Sequence, residues 1–141
     1  MSGVRGAVVE RGLSSRWLVF GLGDRDGALA VDYLVKVLEV PEIFRVPFCG
    51  DRFKGVIYYL ERAVPVLDWG FIGKGDISGK MVVLVEWSGE LIGIEIERVK
   101  GVEEYALVEA GKEEGYWIEL DGSKNIWALD IDRLFKGLRE G

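Results

Sequence analysis

Two short apolar runs meet between Phe53 and Trp69, in FKGVIYYLERAVPVLDW, and this double run sets the strongest limit on the fold. Both halves are rich in β-branched and aromatic residues. GVIYYL and AVPVLDW therefore read as strands hinged at Glu61 and Arg62, with Pro65 closing the second and Asp68 ending it. A hairpin alone is marginal in water and needs further strands or a covering layer over its apolar face. The flanking chain has to supply that cover.

It offers the material in short pieces. Residues 1–15 keep no sustained period and read as a loose N-terminal arm or a short edge strand. RWLVFGL, the turn residues GDRDG and then ALAVDYLVKVLEV predict two strands; in the second, Val31, Tyr33, Val35 and Val37 alternate, although Leu34 and Leu38 blur the period. Pro41 and Pro47 bracket EIFRV, which points to a connection or a sheet edge there. The glycine-rich GFIGKGDISGK predicts a seam between two halves near residues 70–80. MVVLVEW, from Met81 to Trp87, reads as a strand covered on both faces. The turn SGE then leads into LIGIEIERV, whose isoleucines face one way and whose Glu95 and Glu97 face the other. YALVEA, GYWIEL and NIWALDI give further short strands. From Asp130, DIDRLFKGLRE places Ile131, Leu134, Phe135 and Leu138 at helical spacing behind a capping aspartate. Many short strands with one terminal helix predict a mainly β protein, an antiparallel barrel or sandwich.

Charge and missing residue types narrow the function. Asp and Glu outnumber Lys and Arg by 24 to 18, giving a net charge of −6 that repels phosphate backbones, so nucleic acid is not an expected partner. No run reaches the roughly 18 apolar residues of a membrane helix and no signal-peptide core opens the chain, so a cytoplasmic location without membrane insertion is expected. The chain has no histidine, and its single cysteine, Cys49, lacks the base that a thiol nucleophile needs. Cys49 is read as a packing residue. Abundant charge with almost no side-chain amides is a composition associated with growth at high temperature.

The apparent chemical motifs do not hold up. GLGDRDG at 21–27 has its third glycine one place late and runs on into a strand, so a hairpin turn with solvated Asp24 and Asp26 replaces the dinucleotide fingerprint. GKGDISGK, from Gly73 to Lys80, misses phosphate-loop spacing and has Met81 where a hydroxyl residue should hold magnesium. Glu95 with Glu97, and Glu103 with Glu104, could pair for acid and base work, but Glu95 and Glu97 on the polar face of a strand read as solvated. No catalytic residue, cofactor or metal site is expected. Trp17, Trp87 and Trp127 read as core, whereas Tyr58, Tyr59 and Trp69 flank the charged hinge as aromatic anchors of a binding surface would.

The order of segments resembles the CheW family of chemotaxis adaptors from about Arg16 to Leu138. The matching pieces are WLVFGLG, ALAVDYLVKVLEVPEIFRVP, KGVIYYLERAVPVLDW, VVLVEWSGELIGIEIERVKGV and IWALDIDRLF. Gly55, Val56, Ile57, Pro65, Val66 and Asp68 carry the most characteristic run, and Gly93, Ile96 and Val99 a second. The resemblance implies two small five-stranded SH3-like β-barrels within residues 16–141, followed by the short helix. It also implies a non-enzymatic adaptor that couples chemoreceptor cytoplasmic tips to the regulatory domain of a CheA-type histidine kinase, recruited to receptor arrays at the inner membrane. Alternatives are a scaffold that binds only the kinase and a small-molecule-binding β-barrel.

Two positions depart from the family pattern. Typical members have an asparagine, leucine, arginine, glycine turn where this chain has Tyr58, Tyr59, Leu60 and Glu61, so Leu60 replaces the arginine. Glu61 in place of glycine implies a turn with no need of positive φ. Lys36 stands where glutamate is usual, a reversal that would select a different partner. The expected protein-interaction residues are accordingly Lys36, Tyr58, Tyr59, Leu60, Glu61 and Arg62, with Arg62 serving for the missing arginine.

Overall fold

The short apolar runs emerge as strands in a computed structural model that describes residues 14–23, 25–39, 41–45, 51–72, 81–106, 113–120 and 126–140. In chain order they are β1 (Ser14–Leu22), β2 (Arg25–Ala30), β3 (Leu34–Glu39), β4 (Phe53–Tyr59) and β5 (Arg62–Leu67). Then follow β6 (Met81–Trp87), β7 (Glu90–Ile96), β8 (Arg98–Ala106), β9 (Glu113–Glu114), β10 (Trp117–Glu119) and β11 (Ile126–Leu129), closed by helix α1 (Ile131–Glu140). The fold is mainly β and consists of two small sheets with SH3-like barrel character. One sheet has five strands, as expected, in the order β3-β6-β7-β5-β4; the other has six, in the order β8-β1-β2-β11-β10-β9. The extra strand is the two-residue β9.

The chain divides into two compact units, residues 1–33 with 99–141 and residues 34–98. The seam expected near 70–80 falls largely on residues 73–80, outside those described, while Trp69–Ile72 form a 3-10 turn inside the second unit. The observed division instead cuts ALAVDYLVKVLEV. That run is not one strand: β2 ends at Ala30, a 3-10 turn takes Val31–Tyr33, and β3 begins the other sheet at Leu34. A register shift between Leu34 and Lys36 leaves Val35 42% exposed, so the apparent alternation was not a single buried face.

In the first unit, the β1–β2 hairpin pairs Leu22 with Arg25 across a turn that Gly23 enters at φ 70°. Trp17, Val19, Ala28, Ala30, Leu120, Ile126 and Ala128 form its core, with Tyr33 and Tyr105 packed against it. Of the arm read over residues 1–15, Ser14 and Ser15 already belong to β1 and the rest lie outside the described residues. The terminal helix follows its sequence pattern, burying Ile131, Leu134 and Phe135. Asp130 Oδ1 accepts the Arg133 N–H at 3.2 Å and so caps the first turn. Asp26, considered above as a turn aspartate, holds Lys100 at 2.7 Å.

Tyr105 on β8 donates its hydroxyl hydrogen to Glu103 at 2.6 Å. That bond, then partial desolvation and the charges of Glu103 and Asp26, push its pKa up to about 12. Burial, followed by the carboxylates of Asp132, Asp130 and Asp32, also raises Tyr33. A tyrosine whose folded pKa lies above its unfolded value adds stability below the unfolded pKa, near 10, and loses it as pH rises through the folded one. Alkaline absorbance titration of phenolate is therefore expected to show a late phase that Tyr105→Phe reduces, leaving the contribution of Tyr33, and that Glu103→Ala moves in part back toward ordinary tyrosine.

The second unit is built on β6 and β7. Val82–Val85 and Ile92–Ile96 are buried throughout, so both strands are covered on both faces. Ile57, Val64, Val66, Val82 and Leu84 make the core, with Leu38, Ile43, Tyr59 and Leu91 packed against it. Trp87 is only half-buried, unlike Trp17 and Trp127.

Candidate functional site

The β4–β5 hairpin gives the second unit its most exposed apolar surface. Tyr59 pairs directly with Arg62, so only Leu60 and Glu61 form the turn. In a two-residue hairpin the right-handed twist of the strands demands left-handed backbone at both turn residues. Leu60 and Glu61 comply at φ 49° and 66°. The absence of glycine therefore did not remove the need for positive φ; the connection length imposes it, and two residues with Cβ atoms bear the strain. Ser88 and Gly89 make the same turn between β6 and β7, at φ 53° and 84°.

Pro65 does not close a strand but sits inside β5, opposite Val56. Both hydrogen-bonding groups of Val56 point the other way, to Phe44: Phe44 N–H donates to the Val56 carbonyl and Val56 N–H to the Phe44 carbonyl, each at 2.8 Å. Val56 and Pro65 thus form a non-hydrogen-bonded pair, in which β4 asks no donor of Pro65. The alternation of β4 then assigns each aromatic. Ile57 is buried, Tyr59 packs on the core, and Tyr58 points outward with 63% of its surface exposed. At the tip Leu60 is 76% exposed, and Glu61 and Arg62 are exposed beside it.

Phe44 joins this surface from EIFRV. Its ring meets that of Tyr58 edge-on at 5.5 Å and is 43% exposed. The sequence pointed to a connection or a sheet edge there but did not single out Phe44; the available signal was an aromatic residue in a proline-bracketed stretch. Trp69 does not belong to the surface. It is buried, and its indole N–H donates to the Glu95 carbonyl at 2.8 Å.

Behind the hairpin, the side chain of Glu95 is not solvated as expected. It is 6% exposed and holds Lys54 Nζ at 2.6 Å. Because both faces of β7 are covered, the residues between its isoleucines face protein rather than water. Glu97 is half-buried and Glu104 exposed. Glu95 therefore has a structural partner, and the described residues contain no group of three or more acidic, histidine or cysteine side chains able to hold a metal ion. Cys49, Asp24 and GKGDISGK lie outside the described residues.

The six expected interaction residues do not form one cluster. Tyr58, Leu60, Glu61 and Arg62 share the tip, with Tyr59 turned inward. Lys36 is exposed on β3, at the opposite edge of the sheet, with β6, β7 and β5 between it and β4.

The sequence profile of the CheW-like domain matches residues 16–137. No curated protein matches the chain. Among solved structures, the chain is similar to the scaffolding protein TtCheW from Thermoanaerobacter tengcongensis, with 17% identity and a TM-score of 0.67 over 83% of this chain and 89% of that one. The structural likeness supports the fold, and the profile spans nearly all of the chain from β1 to α1; the chain belongs to the CheW-like domain family.

Proposed function

We propose that the protein is a non-enzymatic coupling adaptor that binds the regulatory domain of a CheA-type histidine kinase and the cytoplasmic tips of chemoreceptors. The observation that carries this reading is the hairpin tip, where Tyr58, Leu60 and Phe44 leave apolar surface in water beside the charges of Glu61 and Arg62. Apolar anchors within a charged rim are the make-up of a protein-binding hot spot. None of the helices among the described residues is long and apolar enough to cross a membrane. Membership of the CheW-like family supports this choice of partner class, and TtCheW is itself a scaffolding protein.

The separation of Lys36 from the tip favours a second form of the same reading. Two surfaces on opposite sheet edges can serve two partners, and the reversed charge at Lys36 would then affect one of them alone. Such a chain would bind the kinase and not a standard receptor.

Separate titrations with the host's kinase regulatory domain and receptor tip test both forms. Leu60→Asp is expected to weaken at least one complex by about 30-fold, the loss of one hot-spot residue. Lys36→Glu should change only the other. Failure of the wild-type chain to bind either partner overturns the coupling role.

A further inference from the structure

Pro41–Arg45 touch the sheet lightly. Their backbone meets β4 through one isolated bridge, the reciprocal pair of 2.8 Å hydrogen bonds between Phe44 and Val56. Ile43 packs on the core, whereas Glu42, Phe44 and Arg45 are exposed. A segment that, among the described residues, is held by one bridge and has no fully buried side chain opens at lower free energy than the strands beneath it. Its seating depends on Gly55, where a Cβ would collide with the Phe44 carbonyl oxygen and stand 3.0 Å from Ile43 Cγ2. On the outer side the seated segment sets the Phe44 ring against Tyr58. Closing the bridge and completing the aromatic part of the tip are therefore one event.

The geometry points to residues 41–45 as a strap whose seating on β4 switches the hairpin-tip contact surface on. This rests on the reading of the tip as a partner surface and adds its regulation. The occupant is a protein surface with an apolar hollow for Phe44, Tyr58 and Leu60, bearing a cation opposite Glu61 and a carboxylate opposite Arg62, because the tip presents those two charges side by side. Such a partner binds the seated state more tightly. Apparent affinity then falls with the seated fraction, and by linkage the bound partner holds the bridge shut.

Amide hydrogen exchange at Phe44 and Val56, read against Ile57 in the β4–β5 ladder, tests this. It is measured on the free chain and with the kinase regulatory domain or the receptor tip added in separate arms. In the free chain the two bridge amides should exchange at least about tenfold faster than Ile57, and a bound partner should slow them by a similar factor. Gly55→Ala should speed exchange at both bridge amides, leave Ile57 unchanged and weaken binding about tenfold. Phe44→Ala should weaken binding while the backbone bridge stays protected. The proposal is overturned if Gly55→Ala opens the bridge yet binds as wild type, or if the bridge amides exchange only together with Ile57. Should Gly55→Ala fail to fold, unchanged bridge protection in the wild-type complex overturns it equally. If Leu60→Asp abolishes binding and Gly55→Ala does not, the strap alone falls. If neither probe binds the wild type, the tip reading falls and takes the strap's role with it.

Discussion

Replacing Lys54 with methionine is expected to destabilise the second unit by about 2–3 kcal/mol, enough to lower its midpoint of thermal unfolding by about 8–20 °C. The size follows from which partner is left behind. Glu95 is 6% exposed and Lys54 28%, so the substitution removes the wetter partner and leaves a buried carboxylate without its cation. A buried pair that loses one member typically costs about 3–5 kcal/mol; water reaching the vacated edge through the Lys54 position reduces that here. The paired replacement Lys54→Met with Glu95→Leu should recover most of the loss, because neither charge then remains to be solvated. Urea unfolding of the wild type, both single variants and the double variant measures the coupling. Equal stability of Lys54→Met and wild type would show that the ion pair contributes nothing.

This pair also shows where the sequence was legible and where it was not. The alternation in LIGIEI correctly marked a strand, and SGE marked its turn, because period and turn chemistry are local properties. Whether the second face of that strand meets water depends on which segments pack over it, and that is settled by chain far away in sequence. Glu95 was misread for this reason. The break at Val31–Tyr33 was hidden in the same way: its residues suit a strand, and the change of sheet is imposed by tertiary structure over local preference. The terminal helix, by contrast, carried its cap and its apolar face within a dozen residues and was read as it stands. At the tip, the hairpin followed from the sequence, but nothing local separated the outward Tyr58 from the inward Tyr59 and the buried Trp69, and Phe44 needed the bridge to Val56 to be seen as part of the same surface.

Leu60→Asn is expected to move stability and binding in opposite directions. Leu60 holds φ 49° and Glu61 φ 66° in a turn for which Asn-Gly is the relaxed sequence. A left-handed conformation costs an ordinary L-residue about 1–2 kcal/mol, and asparagine tolerates it better, so Leu60→Asn should raise stability by about 1 kcal/mol. Glu61→Gly relieves the neighbouring strain in the same way, offset by the greater freedom glycine gives the unfolded chain. Their effects on binding should differ widely. Leu60→Asn removes the apolar side chain that is 76% exposed at the tip and is expected to weaken partner affinity by about 30-fold, whereas Glu61→Gly removes a rim charge and should alter affinity only a fewfold. A turn selected for stability alone would give up Leu60. An exposed leucine at a strained position fits a residue that serves contact, an exchange of stability for function. Thermal unfolding and partner titration of the two variants decide the matter: a Leu60→Asn protein that is more stable and binds as tightly as wild type would leave the strain without a functional reason and remove Leu60 from the contact surface.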